Sequence, residues 1–343
     1  MLDRLSNWAD ALGRAAHGYV FGLEARLALT YLVATVVLAS GLWLWRGRPQ
    51  SWAAWLFPRA VYAHRSNLVD AKLFLFNTVV AATGFFGALL FTPFVAVFVQ
   101  VLLGKTVGAI HDSAGNGWGV TLLATVVMVL ALDFCKYWAH YIHHEWRTLW
   151  HFHAVHHSAE VMTPLTAYRN HPAFIVIRNL IYSVIVGAVQ GAMLWALVGR
   201  IDILTIGGAN AGYVLFNLIG ANLRHSHVWL SYGRVLEHVF ISPAQHQIHH
   251  SIDPRHYNKN YGEVFAFWDW MFGTLYVPAR HETLAFGLAD AKGRRVEQPH
   301  PTLYAALVQP FVKAGRELRR RRGRAATPAA AGGPTGTGRE RAS

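Results

Sequence analysis

The chain has 343 residues, of which 53% are hydrophobic and only 14% are charged, and its formal net charge is +13. A soluble domain has about a quarter charged residues, so this composition argues against a soluble enzyme and predicts an integral membrane protein. The single cysteine, Cys135, excludes a disulfide within the chain and a metal site built from several thiolates. The positive charge lies in loops and near the C-terminus, which favours membrane lipid headgroups over nucleic acid as its partner.

Five apolar runs are long enough to cross a bilayer, which takes about 20 residues. They are 26–45, 73–95, 118–138, 174–198 and 203–222. The second run belongs to a longer apolar stretch, 73–103, which could form one crossing with a kinked or re-entrant end, or two short crossings. One crossing keeps the histidine-rich segments and the arginine-rich tail in the cytoplasm, as the positive-inside rule requires. We therefore predict one.

These runs divide the chain into three predicted regions. Residues 1–117 form an N-terminal membrane region with two spans, residues 118–310 hold every dense histidine cluster, and residues 311–343 form a basic, disordered tail. A short turn at 198–202 joins the last two spans into a hairpin. Because the hairpin returns the chain to the face it left, the polar segments 139–172 and 223–310 lie on one face; together they are the cap.

Histidine is concentrated in the cap, where fifteen of the twenty histidines lie between residues 140 and 256. An HxxxH pair ends the third span, and HxxHH occurs twice, in "HAVHH" (153–157) and "HQIHH" (246–250). Side chains at i, i+3 and i+4 share one helix face, so each HxxHH box is predicted to direct three imidazoles at one point. Imidazole nitrogen suits iron, zinc and copper. The predicted ligands are His140, His144, His153, His156, His157, His246, His249 and His250.

Eight ligands are more than one ion takes, so the spacing predicts two metal ions. His225 and His227, in "NLRHSHVW", lie where the fifth span reaches the same face, and either could be a ninth ligand. The helical spacing turns His143 away from His140 and His144, so His143 is predicted to point away from the site.

Three further polar residues are predicted to support the ligands. Asp133 lies within the third span, seven residues before the HxxxH pair, where a carboxylate is costly and usually functional. It could support a ligand histidine or form a hydrogen bond between helices. His171, in "YRNHP", and Asn222 are the other two candidates.

A histidine-built metal site beside lipid is suited to O2 activation and the oxidation of an acyl or sterol-like chain. Two other functions fit the sequence less well. A histidine-rich metal transporter would need polar residues through its spans, whereas 174–222 contains few. A haem protein would need paired histidines on different spans at membrane depth, and no such pairs occur.

Over about 118–278 the sequence resembles the fatty acid hydroxylase/sterol desaturase superfamily of membrane di-iron enzymes. The resemblance rests on "DFCKYWAHYIHH" (133–144), "LWHFHAVHHSAE" (149–160), "SPAQHQIHHS" (242–251) and "NKNYGEVFAFWDWMFGTLY" (258–276). It implies an all-α membrane bundle of about five spans with a cytoplasmic histidine-rich cap, in which 118–310 is the catalytic domain. It also implies that the eight box histidines are metal ligands, with His225 or His227 as the ninth.

The resemblance further implies a reaction. Two iron ions, with zinc possible in the purified protein, would use O2 and two electrons to hydroxylate or desaturate a sterol-like, fatty acyl or related lipid. No catalytic side chain beyond the ligands is implied, and the electrons would come from a separate cytochrome b5- or ferredoxin-like protein. Tyr141 and His151 stand where relatives commonly have arginine; neither change removes a ligand.

Overall fold

The computed structural model describes residues 2–22, 25–108, 118–197, 203–290 and 292–326. Among these residues the chain is helical, with three isolated β-bridges and no strand, so the predicted all-α fold is confirmed. The helices are α1 (Leu2–Phe21), α2 (Leu29–Trp45), α3 (Trp52–Leu56), α4 (Arg59–Tyr62), α5 (Ser66–Ala82), α6 (Phe85–Ala88), α7 (Thr92–Thr106), α8 (Trp118–Glu145), α9 (Arg147–His157), α10 (Pro172–Ala196), α11 (Ile203–Leu218), α12 (Gly233–Leu236), α13 (Pro243–His249), α14 (Phe267–Met271) and α15 (Leu303–Ala326). Short 3-10 turns cover Pro164–Tyr168, Ala221–His225 and Pro254–His256.

Three segments of the described chain are long and apolar enough to cross a membrane. They are Phe85–Thr106, which comprises α6 and α7, and the helices α8 and α10. Gly84 adopts a φ of 79°, a left-handed conformation that favours glycine, and it turns the chain between α5 and α6.

The segment Phe85–Thr106 runs parallel to α10, with contacts at both ends. Near the cap, Asn179 Nδ2 donates to the Phe86 carbonyl at 3.1 Å. At the far end, Trp195 Nε1 donates to the Gly108 carbonyl at 2.9 Å. Helix α8 then returns the chain to the cap, and the stretch 73–103 contributes to one segment with the length and composition of a crossing.

The boundaries of that crossing differ from the predicted 73–95. Helix α5 ends at Ala82 and stays beside the cap, where Asn77 Nδ2 donates to the Asn170 carbonyl at 2.8 Å. Leu73 is fully buried and packs with Val155 of α9. Apolar residues of α5 therefore contact protein. An apolar run looks the same in the sequence whether it contacts protein or lipid.

The first predicted span, 26–45, also differs. Helix α2 has 17 residues and is not among the three long apolar segments. Both of its ends contact one stretch of the cap: the Arg26 carbonyl accepts from Asn222, and Arg46 Nη2 donates to the Trp229 carbonyl at 2.6 Å. The fifth predicted span, 203–222, corresponds to α11 and the turn after it, whereas the predicted turn at 198–202 lies outside the described residues.

A buried ion pair joins α5 to the cap. Arg169 Nη1 lies 2.7 Å from Asp70 Oδ1, and both side chains are fully buried. Arg169 Nε also donates to the Val155 carbonyl, and Thr166 Oγ1 donates to Asp70 Oδ2. Removing one partner from such a pair typically costs about 3–5 kcal/mol, so this contact fixes α9 against α5.

The basic C-terminal segment is helical, which corrects the predicted disordered tail over 311–326. Helix α15 covers Leu303–Ala326 and packs against α9, with the Phe311 ring 5.1 Å from that of Phe152. Its Ala, Leu, Arg and Glu residues favour helix, and buried Ala306 and Ala314 give it an apolar face. The predicted boundary between 310 and 311 thus falls inside a helix; residues 327–343 lie outside the described chain.

Candidate metal centre

Four segments of the chain bring nine histidines together at the base of the cap. The segments are the end of α8, helix α9, the 3-10 turn Ala221–His225, and the end of α13. Two adjacent groups result, and within each group the candidate ligand atoms all lie within 4.8 Å of one another. The five-histidine group is His140, His144, His153, His157 and His249. The four-histidine group is His156, His225, His246 and His250.

The five-histidine group centres on His157. Its Nε2 atom lies 3.2 Å from His153 Nε2 and 3.2 Å from His249 Nε2. The two α8 histidines close the group, since the ring centroids of His140 and His144 lie 4.4 and 4.7 Å from that of His249. Three helices therefore contribute to one compact set of imidazoles.

The four-histidine group is arranged around His225 and His246. Their Nε2 atoms are 3.1 Å apart, and His225 Nε2 lies 3.3 Å from His156 Nε2. His250 Nε2 completes the set at 3.3 Å from His246 Nε2. The groups are adjacent, because the rings of His157 and His250 stack across them with centroids 4.4 Å apart.

The spacing predicted that each HxxHH box directs its three histidines at one point. That prediction is wrong, because each box divides its histidines between the two groups. In α9, His153 and His157 join one group while His156 turns to the other. In and after α13 the division is reversed: His246 and His250 join the four-histidine group, and His249 joins the five-histidine group. Positions i and i+4 differ by about 40° around a helix, whereas i+3 and i+4 differ by about 100°, so one turn can face two sites.

The histidine atoms fit metal ions. With a metal–nitrogen bond of about 2.1 Å, neighbouring ligand nitrogens lie about 3.0–3.4 Å apart in octahedral or tetrahedral sites. The measured Nε2 separations of 3.1–3.3 Å fall within that range. His249 Nδ1 donates to the Lys259 carbonyl at 2.8 Å, which leaves its Nε2 lone pair facing the group. Facing lone pairs repel one another unless a cation lies between them.

The cap environment keeps these imidazoles neutral. Burial, together with the nearby His140 and Arg169, lowers the pKa of His156 to about 3. Burial also lowers the pKa of His225, His246 and His250 well below the usual value, with neighbouring histidines adding to the effect. Neutral imidazole is the metal-binding form, so no proton must be displaced at neutral pH.

A loop after the last box orients two of the histidines. The Tyr261 carbonyl accepts from His140 Nδ1 at 2.8 Å, as the Lys259 carbonyl does from His249. Backbone carbonyls of this kind fix the ring orientation and tautomer of metal-binding histidines. Sequence reasoning missed them because any residue type supplies a carbonyl; the quoted "NKNYGEVFAFWDWMFGTLY" segment was the available signal.

Two buried carboxylates hold that loop. Asp269 accepts from the backbone N–H groups of Tyr261 and Gly262, at 2.7 and 2.8 Å, and from Thr274. Asp133 accepts from the backbone N–H groups at 264 and 265, at 2.9 and 3.0 Å. The support predicted for Asp133 therefore acts on the loop, one step removed from the histidines.

Four further residues considered in the sequence analysis lie outside both histidine groups. His227 is in neither group: its Nε2 bonds to the Trp55 carbonyl at 2.7 Å, so of the two candidates His225 is the one brought in. His171 does not support the ligands as predicted; it begins α10 and bonds through Nε2 to the Leu307 carbonyl. Asn222 bonds to the loop before α2. His143, predicted to point away, is in neither group and packs against Phe174.

A cavity of about 710 Å³ opens beside both groups. His140 and His153 of one group and His156, His225 and His246 of the other line it. Its remaining wall is partly apolar, with Phe74, Phe86, Leu90, Phe174 and Ile175, and partly charged, with Arg26, Lys136, Arg178, Arg224 and Glu263. A molecule in this cavity would contact both histidine groups and an apolar surface at once.

Comparisons with known proteins match the same region. Residues 125–274 match the family described as fatty acid hydroxylase. An ornithine lipid hydroxylase of Rhizobium tropici is 31% identical over 205 residues, 58% of this chain and 54% of that protein. An alkylglycerol monooxygenase of Danio rerio is 29% identical over 164 residues, 48% of this chain and 31% of that protein. A Delta(7)-sterol 5(6)-desaturase of Aspergillus fumigatus is 24% identical over 217 residues, 59% of this chain and 66% of that protein. The chain thus spans about half the length of the first relative and less of the second, and no solved structure matches.

Proposed function

We propose that this chain is a membrane-bound di-iron oxidase acting on a lipid, on the premise that residues 125–274 match the fatty acid hydroxylase family. The observation that carries the proposal is the shared cavity: two adjacent groups of neutral histidines border one space whose wall is partly apolar. A metal pair beside a lipid-sized, partly apolar space is what oxidation of a hydrocarbon requires.

The five-histidine group would hold one iron ion and the four-histidine group the other. Nitrogen ligands suit iron, although zinc could replace it during purification. Iron bound there would supply the activation of O2. The protein's own part is to hold nine neutral imidazoles in place. Two of them, His140 and His249, are oriented by the carbonyls at 261 and 259, whose loop the buried carboxylates fix.

The reaction inserts one oxygen atom of O2 into a C–H bond and reduces the other to water, with two electrons and two protons. Desaturation would use the same inputs, remove two hydrogens from neighbouring carbons and release two waters. We favour hydroxylation, because the relatives of higher identity are named as a hydroxylase and a monooxygenase. The apolar cavity wall would position the hydrocarbon and exclude bulk water.

The electrons would come from a separate redox protein of cytochrome b5 or ferredoxin type. We place the cap in the cytoplasm, where such donors occur, because the basic residues of α15 extend from it. A reporter fused after residue 326 should then behave as cytoplasmic, and one inserted at 109–117 as external. Reversed locations, with the reporter after residue 326 external and the one at 109–117 cytoplasmic, would contradict the single crossing by 73–103.

Metal content is the first test. Protein purified from iron-replete cells should contain about two metal ions per chain and should be active with iron. A folded protein with none would contradict the proposal.

Lipid profiling is the second test. Cells that express the chain should accumulate a lipid heavier by one oxygen than its counterpart in cells lacking it, or lighter by two hydrogens if the reaction is desaturation. His156→Ala should abolish the new lipid, whereas His281→Ala, which changes an exposed histidine outside both groups, should retain it. A new lipid that persists in His156→Ala would mean that the histidine groups do not produce it.

A further inference from the structure

The charged residues of the cavity wall are mostly positive. Arg26, Lys136, Arg178 and Arg224 line the cavity, against one carboxylate, Glu263. Two of these cations, Lys136 and Arg178, lie on the candidate membrane helices α8 and α10, where ionisable residues are costly and usually mark a functional site. Positive charge is thus concentrated next to the histidine groups, and part of it lies on candidate membrane helices.

The single carboxylate is already engaged by two of the cations. Arg26 pairs with Glu263 Oε1, and Lys136 Nζ lies 3.4 Å from Oε2. Burial alone would raise the pKa of Glu263, but Lys136 and Arg26 outweigh it and hold that pKa below its usual range. Both oxygens of Glu263 are therefore occupied, and the cavity retains unmatched positive charge.

Arg224 is the most unusual of the four. Its side chain is 1% exposed, yet none of its three guanidinium nitrogens has a hydrogen-bond partner. Its guanidinium carbon lies 4.6 Å from the centre of the Phe216 ring, and no acidic group among the described residues pairs with it. A buried guanidinium without an anion is costly, because it has lost its water and gained no counter-charge.

The position of this charge relates it to the metal centre. Arg224 precedes His225 in the chain, and Lys136 lies one helical turn before His140. Glu263 follows the loop whose Tyr261 carbonyl bonds to His140. The cations, the two histidine groups and the apolar residues consequently border one continuous space.

We propose that the cavity binds a lipid with an anionic headgroup, a phosphate or a carboxylate, which Arg224 holds together with Arg26, Lys136 and Arg178. The five N–H donors of a guanidinium match the paired oxygens of either anion. The hydrocarbon chain lies along Phe74, Phe86, Leu90, Phe174 and Ile175. This inference rests on the proposed function and specifies its substrate class.

The test is equilibrium binding to the iron-loaded protein in detergent without reductant, so that no turnover occurs. Two matched pairs of probes share one chain each: monooleoyl lysophosphatidic acid against monooleoylglycerol, and oleate against oleyl alcohol. We expect at least one anionic probe to bind about 10-fold or more tightly than its neutral partner, as charged hydrogen bonds in a buried site allow. Equal affinities within both pairs would overturn the proposal.

Arg224→Gln should reduce that preference about 10-fold or more, and Arg224→Lys should reduce it less. Arg234→Gln, which changes an exposed arginine of α12, should leave it unchanged. If Arg224→Gln does not yield folded, metal-loaded protein, Arg178→Gln serves in its place. An unchanged preference in the folded cavity variant would overturn the proposal.

Inorganic phosphate separates a lipid headgroup from free anion. It should displace lysophosphatidic acid only at concentrations far above those of the lipid, since it lacks the chain. Equal potency would assign the site to free phosphate and overturn the lipid assignment. Because binding is measured without turnover, loss of the headgroup preference in an enzyme that still oxidises lipid would contradict this inference alone. An intact preference in a protein that oxidises no lipid would contradict the proposed function alone.

Discussion

The two HxxHH boxes have the same spacing but divide their histidines in opposite ways. In α9, the outer pair His153 and His157 faces the five-histidine group, and His156 crosses to the other group. Around α13, the outer pair His246 and His250 faces the four-histidine group, and His249 crosses back. Each box therefore contributes to both candidate metal sites.

The comparison shows that a ligand motif specifies the residue types and their positions on the helix, but not which of the two groups each histidine joins. His156 reaches His225, at 3.3 Å between Nε2 atoms, only because the 3-10 turn Ala221–His225 lies on that side of α9. His249 reaches His157, at 3.2 Å, because α13 faces α9 across the centre. A pair of boxes linked in this way makes the two sites interdependent, which mutation can test.

The largest effect should follow removal of His156 or His249, the histidine of each box that joins the other group. His156→Ala leaves three histidines in its group and His249→Ala leaves four, so activity should fall to background in both. Metal content should separate them, with about one ion lost from His156→Ala and less from His249→Ala. Atomic absorption and lipid profiling would measure the two quantities. If both variants kept two metals and their activity, the assignment of His156 and His249 to these groups would be wrong.

The second test sets His225 against His227, which the sequence could not separate. His225→Ala removes a ligand from the four-histidine group and should abolish product formation. His227→Ala removes a bond to the Trp55 carbonyl and should reduce activity about 10-fold or less. Metal content should fall in the first variant only. The reverse order would require the group to be rebuilt around His227.

A smaller effect is expected from the loop that orients the ligands of the five-histidine group. Asp269→Asn keeps the size of the side chain but replaces one acceptor oxygen with a donor, so at least one of its three bonds is lost. Weakened support of this kind typically costs about 10-fold to 100-fold in metal affinity or activity. A chelator titration should show weaker metal retention in this variant, together with a lower melting temperature. Unchanged retention would mean that the Tyr261 carbonyl does not depend on Asp269.

How much the sequence predicts differs between the cap and the membrane region. All eight box histidines lie in one of the two groups, because helical spacing and residue type are local properties. The membrane boundaries were less well predicted: apolar residues of α5 that contact α9 look the same in sequence as residues that contact lipid. The division of the boxes and the Tyr261 carbonyl support depend on segments about 70–120 residues away, such as His225 beside His156 and Tyr261 beside His140. No local pattern encodes such contacts.

The smallest effect tests the helical register on which the first box depends. His143 lies between the two α8 ligands, but its Nδ1 bonds to the Ala139 carbonyl at 2.6 Å and its ring packs on Phe174. His143→Ala should therefore keep both metals and most of the activity, at a cost in stability of about 1–3 kcal/mol for the lost buried contacts. His144→Ala, one residue further along α8, is the matched control and should remove a ligand of the five-histidine group and the activity with it. Should His143 prove essential and His144 dispensable, α8 would be rotated by one residue, and His140 would no longer share a face with its partner.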